Sequence, residues 1–493
     1  MTLLTTPPSG GAAAPVPLEP PRRPGWLERR LGPAWPLKLL LLGFPLWWLL
    51  GLASFSFLIA ATAMAVQMVR RGGVRLPAGF GVWLLFLAWM GAGVFMLWVD
   101  APGTITEGGS ERLVGYLFRV LWYLAVTVAL LYPLSLPARV LPARQVYSWL
   151  GALLVVATFG GLAGLVAPAF ELTTPAEWII PGARGSGFIH EKVHLTLATP
   201  SDFLGYEQAR PNAPFTFANA WGNNVGLLLP YFVYGWLITG KRWQQLTAPV
   251  VLVLVAIPII FSLNRGLWLG LVVSALFAAV MLARRGHFAA LWTLLAGLAV
   301  AAVVFMASPL ADTLVSRLEH PHSNERRTTV AEVVLETTWD ASPLLGYGTT
   351  RQVEGSFASI AGGATPECRQ CAAPPLGTQG FMWRLVFTTG FVGTVLFLAF
   401  MAVQLVTHIR RLDAEAILGS MSIVVSMLFF LVYDSLESPL FLLMLAIGLM
   451  NRRRLDDEAV EAAMARGRAG PATVVPVRAS SLPAGHPDVR SAP

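Results

Sequence analysis

Long apolar segments recur along this chain at a spacing that leaves few folds open to it. Each has the length and composition of a helix that crosses the hydrocarbon core of a bilayer. About twelve segments qualify, and they lie at residues 35–50, 52–69, 79–98, 113–133, 147–167, 215–239, 247–263, 266–283, 287–307, 379–406, 416–433 and 437–451. The sequence therefore predicts an all-α integral membrane protein with about 12 transmembrane helices.

The composition supports a membrane protein and argues against a soluble or nucleic-acid-binding one. Of the 493 residues, 55% are hydrophobic and only 13% are charged, which would leave a soluble globule with too little polar surface. The net charge of +8 comes from short Lys and Arg clusters between the apolar runs, without interleaved aromatic residues. We therefore expect the lipid bilayer as a partner and no nucleic acid.

Basic residues occupy every second connection between the apolar runs. They are Arg22, Arg23, Arg29, Arg30, Arg70, Arg71, Arg75, Arg139, Arg144, Lys241, Arg242, Arg284, Arg285, Arg410, Arg411, Arg452, Arg453 and Arg454. Basic connections stay on the cytoplasmic side of a membrane. The pattern predicts a multi-pass protein of the inner, cytoplasmic membrane with both termini in the cytoplasm.

The chain divides into a membrane domain and two tails. Residues 1–34 are rich in Pro, Gly and Ala and are expected to form a disordered cytoplasmic tail. The membrane domain covers residues 35–451, and its two longest outer connections are about 168–214 and 308–378, the second a large loop between helices 9 and 10. Residues 452–493 form the cytoplasmic C-terminal tail, in which 455–468 is predicted to be a short amphipathic helix.

The two cysteines of the chain lie in the second long outer connection. Cys368 and Cys371 offer too few soft ligands for a structural zinc site. Compartments outside the cytoplasm are oxidising, so we expect a local disulfide between these two cysteines.

Several arginines are assigned to the outer leaflet, and together they suggest a ligand. They are Arg119, Arg210, Arg265, Arg326, Arg327 and Arg384. A single arginine in such a position is explained equally well by snorkelling or by a salt bridge. Several guanidinium groups in one leaflet suit the bidentate capture of phosphate oxygens. The activated diphosphate of that leaflet belongs to polyprenyl-linked glycans, which makes a lipid-linked sugar donor the expected ligand.

Other polar residues lie in the same predicted outer region. Asn219 and Asn223 open a helix just after Arg210. Asp434 and Glu437, in the turn between the last two apolar runs, either hold an acceptor sugar or form a solvated turn.

Two further motifs each have a functional and a plain interpretation. The glycines of the 343–348 segment either bring backbone amides to an anion or form an ordinary loop turn. His190 and His194 have the spacing of a metal-binding helix, with Glu191 after the first. No helix is evident around them and no third ligand is apparent, so the sequence predicts a solvated loop and no metal site.

The order of these motifs resembles the O-antigen ligase and polymerase superfamily over roughly residues 35–450. The resemblance is carried by Arg210 with the Asn-rich helix start, by residues 262–268, by the 343–348 segment, and by Gln379 followed by residues 390–393. It implies transfer of a glycan from a polyprenyl-diphosphate donor to a hydroxyl on lipid A core or on another glycan, without a cofactor. It also implies that Arg210 and Arg265 hold the donor diphosphate.

The chain departs from the family pattern at Gln379 and Gly380. The family histidine aligns with Gln379, its asparagine with Gly380, and its two glycines with Gly390 and Gly393. A glutamine cannot accept the proton of the acceptor hydroxyl.

Three alternatives follow from this departure. Gln379 orients the acceptor while another residue acts as base, the options being Glu325, Glu354, Glu367, His320 and His322. The second alternative is a dissociative transition state, in which positioning and arginine stabilisation supply most of the rate. The third is that the protein binds a glycan without transferring it.

Two other function classes compete with glycan transfer. A transporter or flippase of a lipid-linked or polar substrate needs charged or broken helices near the bilayer midplane. A non-catalytic membrane component of envelope assembly is compatible with the missing histidine.

Overall fold

The computed structural model describes residues 25–106, 108–180, 183, 188–201, 208–306, 322–353 and 375–468. Most of this part of the chain is helical. The α-helices are α1 Trp26–Leu31, α2 Trp35–Leu42, α3 Phe44–Leu49, α4 Ala53–Arg71, α5 Phe80–Ala92, α6 Gly109–Leu131, α7 Ala143–Val166, α8 Pro175–Ile179, α9 Phe188–Val193, α10 Ala218–Phe232, α11 Arg242–Phe261, α12 Arg265–Arg284, α13 Phe288–Met306, α14 His322–Ala341, α15 Phe381–His408, α16 Ala414–Val432 and α17 Ser438–Arg468.

Short irregular helices and two small hairpins complete the described part. A 3₁₀ segment, Gly93–Trp98, continues α5, and a π-helical segment, Val233–Ile238, continues α10. Four strands form antiparallel pairs: β1 Glu171–Leu172 with β2 Leu195–Thr196, and β3 Ala198–Ser201 with β4 Gln208–Pro211. The expected all-α class therefore holds for the bundle, and the strands are confined to one connection.

Eight segments are long and apolar enough to cross a bilayer, which confirms the expected membrane-type fold. They are Ala53–Arg71, Phe80–Trp98, Gly109–Leu131, Ala143–Val166, Arg242–Phe261, Arg265–Arg284, Phe381–His408 and Ala414–Val432. Of the other four predicted runs, 35–50 and 215–239 form interrupted helices, whereas 287–307 forms α13 and 437–451 forms the first part of α17. The count of twelve crossings stays a prediction.

Gly43 and prolines account for two of the interruptions. The 35–50 run is divided at Gly43 into α2 and α3, and a proline stands in the first turn of α3. Pro230 lies inside α10, which then widens into the π-helical segment. Proline has no N–H to donate and displaces the carbonyl one turn before it, so a helix bends or changes its hydrogen-bond pattern there.

Several of the basic connections meet at one end of the bundle, called here the basic end. Arg75 Nη1 lies 2.6 Å from a carboxylate oxygen of Asp456, which joins the end of α4 to α17. Arg284 Nη1 donates to the carbonyl of Ile409 at 2.8 Å, which joins α12 to the end of α15. Connections that the sequence assigned to one side of the membrane are thus neighbours in space.

Both predicted tails are partly helical. Trp26–Leu31 forms α1 rather than a disordered segment, and Glu28 pairs with Arg71 at 3.1 Å. Residues 1–24 lie outside the described part. The helix expected at 455–468 is not separate, because α17 runs without a break from Ser438 to Arg468. Pairs one turn apart, Arg453–Asp457 and Arg454–Glu458, support that continuation.

The two long connections contain ordered elements. The first carries α8, α9 and both hairpins, and the second carries α14. Trp339 of α14 packs edge-to-face on Phe391 of α15, with ring centroids 5.5 Å apart, so α14 lies against the bundle. Cys368 and Cys371, and with them the expected disulfide, lie outside the described residues.

Candidate functional site

The turn between α16 and α17, residues 433–438, contacts many other parts of the chain and is called here the hub turn. It lies at the end of α16 that is opposite the basic end. Its side-chain partners are Asn264 for Tyr433, Arg384 for Asp434, Asn223 for Ser435, Lys192 for Glu437 and Asn224 for Ser438. Five partners from four different regions therefore converge on six consecutive residues.

Tyr433 fixes the beginning of α12. Its buried phenol donates a hydrogen bond to Oδ1 of Asn264. Asn264 is the N-cap of α12, and the same oxygen accepts from the Leu267 N–H at 3.4 Å. A Cβ on Gly266 would lie 2.6 Å from the phenol oxygen, so this close approach requires a glycine there. The segment that carries Arg265 is thereby tied to the hub turn.

Arg210 is held against the same segment. It lies in β4, it is buried, and its Nε donates to the carbonyl of Ser262 at 2.7 Å. Its Nη2 donates to Oδ1 of Asn219 at 3.2 Å. Ser262 is three residues before Arg265, the half-buried first residue of α12. The structure thus brings the chain segments of the two predicted catalytic arginines together.

The beginning of α15 packs on the other side of Tyr433. The backbone N–H of Phe381 donates to the carbonyl of Tyr433 at 2.8 Å. Arg384, one turn further, forms an ion pair with Asp434, and its Nε donates to the carbonyl of Gly377 at 3.4 Å. Gln379 precedes Gly380, the N-cap of this helix, and is half-buried. Gln379, Arg384 and Asp434 therefore belong to one site.

Two residues of this site have unusual backbone conformations. In the described part of the chain, Leu263 with φ 51° and Gln379 with φ 65° are the non-glycine residues with positive φ. A side chain in the left-handed region costs free energy, and such strain clusters at functional sites. One of these residues precedes Asn264 and Arg265, and the other precedes α15.

The polar face of α10 completes the wall of the site. Asn223 Nδ2 donates to Oγ of Ser435 at 2.7 Å, and Asn224 Nδ2 donates to Oγ of Ser438 at 2.9 Å. Asn219, one turn before Asn223, accepts from Arg210. The asparagines that the sequence singled out therefore position the hub turn and Arg210.

Arg119 has protein partners in this region. Its guanidinium donates to the carbonyl of Gly348 and, at 3.2 Å, to Oγ1 of Thr349. Arg119 therefore holds the 343–349 segment in place. Contact of Arg119 with substrate stays a prediction.

The 343–348 segment closes a break in α15. Gly390 has a φ of 65° and interrupts the helix. Across the break, Tyr347 N–H donates to the Phe387 carbonyl at 2.8 Å, and Phe391 N–H donates to the Pro343 carbonyl at 2.8 Å. The amides of Gly346, Tyr347 and Gly348 all donate to protein carbonyls, as an ordinary loop turn predicts. Contact of this turn with an anion stays a prediction.

Arg351 is a buried arginine that the sequence analysis missed. It is 1% exposed, and its guanidinium donates to carbonyls of Tyr347 at 2.8 Å, Thr349 at 3.0 Å and Met96 at 3.1 Å. It thus fastens the segment that closes the α15 break to the 3₁₀ segment after α5. The sequence signal for this role was the position of Arg351 three residues after Gly348, close to the backbone carbonyls of the glycine turn.

Other predicted site residues are not described at side-chain level. Arg326 and Arg327 lie on α14, but their side chains are outside the described residues. The side chains of the alternative bases also lie outside the described residues; these bases are Glu325, Glu354, Glu367, His320 and His322.

The histidine pair differs from its prediction. His190 lies in α9, His194 directly follows that helix, and Glu177 of α8 lies beside both, so a helix and a third potential ligand are present. Burial raises the pKa of the Glu177 carboxyl, but hydrogen bonds from Thr174 N–H and His194 outweigh it and leave that pKa below its usual range. The expectation of a solvated loop without a third ligand is wrong.

The chain was compared with known proteins. No family model matches it, and no curated protein matches it either. Function must therefore be argued from the geometry of the site.

Proposed function

We propose that the protein is a membrane glycosyltransferase of the ligase or polymerase type. It moves a glycan from a polyprenyl-diphosphate donor to an acceptor hydroxyl at the outer face of the cytoplasmic membrane. The observation that carries the proposal is the pair of strained residues, Leu263 and Gln379, on the two segments that flank Tyr433. Strain of about 1–3 kcal/mol at each position persists only where the surrounding structure enforces it, which is typical of active sites.

The arginines supply charge for the leaving group. Arg265 begins α12, where the N-terminal end of the helix dipole adds to its positive charge. Arg210 is bound to the segment just before it. In glycan transfer from a polyprenyl diphosphate, the bond between the anomeric carbon and the diphosphate breaks and the electron pair leaves with the diphosphate. Fixed cations beside that oxygen lower the barrier.

Gln379 and Asp434 face the acceptor in this proposal. Gln379 orients the acceptor hydroxyl, whose oxygen forms the new bond to the anomeric carbon with inversion. Asp434 forms an ion pair with Arg384 near the start of α15, and in this proposal it receives the hydroxyl proton. Positioning then supplies much of the rate, as the missing histidine requires.

The membrane arrangement follows from the two ends of the bundle. The basic end is cytoplasmic in this proposal, so the hub turn lies at the outer face. About twelve crossings, counting the interrupted helices, place both termini in the cytoplasm. This orientation exposes the site to lipid-linked glycans of the outer leaflet.

One observation favours a second candidate, a transporter or flippase. The break in α15 at Gly390 is of the kind found in transporter helices. Its backbone groups are bonded to the 343–348 segment, which supports a fixed break rather than a moving one.

Transfer in proteoliposomes tests the proposal. Purified protein is supplied with a polyprenyl-diphosphate-linked oligosaccharide and a glycolipid acceptor, and the release of polyprenyl diphosphate and the mass of the product are measured. We expect transfer by the wild-type protein and by Arg284→Ala at the far end of α12, and none by Arg265→Ala. Movement of the lipid across the bilayer without product would support the transporter, and equal turnover in all three proteins would remove Arg265 from the mechanism.

A further inference from the structure

Two imidazoles and a carboxylate converge in the connection between α7 and α10. One ligand atom each from Glu177, His190 and His194 lies within 4.8 Å of the others. The two rings stack with centroids 4.7 Å apart. Glu177 is 4% exposed, and its Oε1 accepts from the Thr174 N–H at 2.9 Å, so the carboxylate is fixed in place.

We propose that Glu177, His190 and His194 bind a divalent transition metal ion of the zinc class. The ion holds α8 against α9 and thereby positions α9 beside the hub turn. This proposal does not depend on glycan transfer, since it rests on the ligand set alone.

The hydrogen bond of His190 prepares that ring for a metal. Its Nδ1 lies 3.0 Å from the carbonyl of Ala183. A carbonyl only accepts, so this bond puts a proton on Nδ1, which also lies 3.9 Å from Oε2 of Glu177, and Nε2 is the nitrogen that would bind the ion. Metal-binding histidines commonly donate their other nitrogen to a carbonyl or carboxylate in this way, which fixes the tautomer.

Two carboxylates flank the imidazole ring of His194. Its Nδ1 lies 3.2 Å from Glu177, and its Nε2 lies 3.5 Å from a carboxylate oxygen of Glu171. A neutral imidazole has one N–H and cannot donate to both carboxylates. A divalent ion shared with His190 would lie beside both carboxylates and would offset their negative charge.

The ligand types select the ion. Two imidazole nitrogens with carboxylate oxygens suit zinc and its neighbours, whereas calcium and magnesium prefer oxygen ligands alone. Ligand atoms around tetrahedral zinc are about 3.3 Å apart. The three ligand atoms lie within 4.8 Å of one another in the structure, so metal binding would draw them closer together.

The metal site is linked to the hub turn through Lys192. This residue lies in α9 between the two histidines, its side chain is 6% exposed, and it forms an ion pair with Glu437. Its Nζ also lies 5.4 Å from the ring centroid of Phe217, next to the start of α10. Fixing α9 with a metal therefore fixes one of the cations that hold the hub turn.

Zinc binding to the full-length protein tests the proposal. The protein is purified in nanodiscs with an affinity tag that contains no histidine, is stripped with a chelator, and is titrated with Zn²⁺ against a chromophoric indicator. We expect about one equivalent per chain, and an affinity at least about tenfold lower in His194→Gln and in Glu177→Gln. His287→Gln, an exposed histidine near the basic end, should bind zinc as the wild type does.

Thermal unfolding gives a second measurement that is independent of activity. Zinc should raise the unfolding midpoint of the wild type and of His287→Gln, but not that of His194→Gln. Should His194→Gln fail to fold, Glu171→Gln at an exposed position takes its place, with a smaller expected loss of affinity. Equal zinc affinity in the wild type and the ligand variants would overturn the proposal, as would binding of calcium or magnesium in preference to zinc, or no bound metal at all.

Discussion

The phenol of Tyr433 donates a hydrogen bond to Oδ1 of Asn264, while the carbonyl of Tyr433 accepts the N–H of Phe381. One buried residue thus holds the N-terminal ends of two long helices, α12 and α15, at a fixed separation. Arg265 begins the first helix, and Gln379 lies two residues before Phe381, the first residue of the second. The relative position of Arg265 and Gln379 therefore depends on Tyr433, and in the proposed function these two residues are the leaving-group cation and the acceptor-orienting amide.

Removing the Tyr433 hydroxyl should reduce activity more than stability. Tyr433→Phe leaves the ring packed but frees the Asn264 segment, so we expect the transfer rate to fall at least about tenfold, because small misplacements of reacting groups are costly. The loss in free energy of unfolding should be about 1 kcal/mol. The transfer assay and thermal unfolding measure the two effects.

Tyr231→Phe is the matched control for this variant. Tyr231 is also buried, and its hydroxyl lies 2.8 Å from Oγ of Ser422, between α10 and α16. The Tyr231→Phe variant should lose as much free energy of unfolding as Tyr433→Phe and keep the wild-type transfer rate. Equal rate losses in the two variants would show that Tyr433 has no special positioning role.

The break in α15 should depend on a single glycine. Gly390 has a φ of 65°, and a Cβ there would lie 2.1 Å from the carbonyl oxygen of Leu344. Gly390→Ala should therefore displace the 343–348 segment and lower the free energy of unfolding by at least about 2 kcal/mol. Thermal unfolding in nanodiscs measures the change.

Gly297→Ala in α13 supplies the comparison for Gly390. No atom lies within 4 Å of a Cβ at Gly297, and alanine is the better helix former. The unfolding midpoint of this variant should be unchanged or slightly higher. A Gly390→Ala protein as stable as Gly297→Ala would mean that the helix break is not enforced by the glycine.

The ion pair between Lys192 and Glu437 should contribute more to the free energy of unfolding than an exposed ion pair does. The Lys192 side chain is 6% exposed, so Glu437→Gln leaves a buried ammonium without its carboxylate. We expect a loss of about 2 kcal/mol in the free energy of unfolding. Denaturant or thermal unfolding measures it.

Glu458→Gln removes a carboxylate from an exposed pair with Arg454 on α17. The Glu458 side chain is 52% exposed, and such pairs contribute about 0.5 kcal/mol. Its stability should be close to that of the wild type. If both glutamine variants lost the same small amount, Lys192 would have other partners that suffice to keep it in place.

Much of the bundle could be predicted from periodic properties of the sequence. Apolar runs predict helices such as α4 and α16 because a bilayer allows few other structures. Basic clusters predicted which connections share a side, and Arg284 contacts the connection after α15 accordingly. Helix interruptions were harder to place, because Pro230 changes the hydrogen-bond pattern of α10 without ending the apolar run.

The site could be predicted only in part. The sequence pointed to Arg210 and Arg265, and the structure brings their segments together through Ser262. Pairings across long sequence separations were invisible, among them Asp434 with Arg384, because no local pattern encodes a tertiary partner. The proximity of Glu177 to His190 and His194 could not be predicted for the same reason.

A structure determined by cryo-electron microscopy with a polyprenyl diphosphate analogue tests the central claim most directly. The account predicts diphosphate density within salt-bridge distance of the Arg265 guanidinium, beside the 262–265 segment that Arg210 holds, with the prenyl chain in the bilayer. Diphosphate bound at the basic end, for example at Arg284, with no density at Arg265, would contradict it.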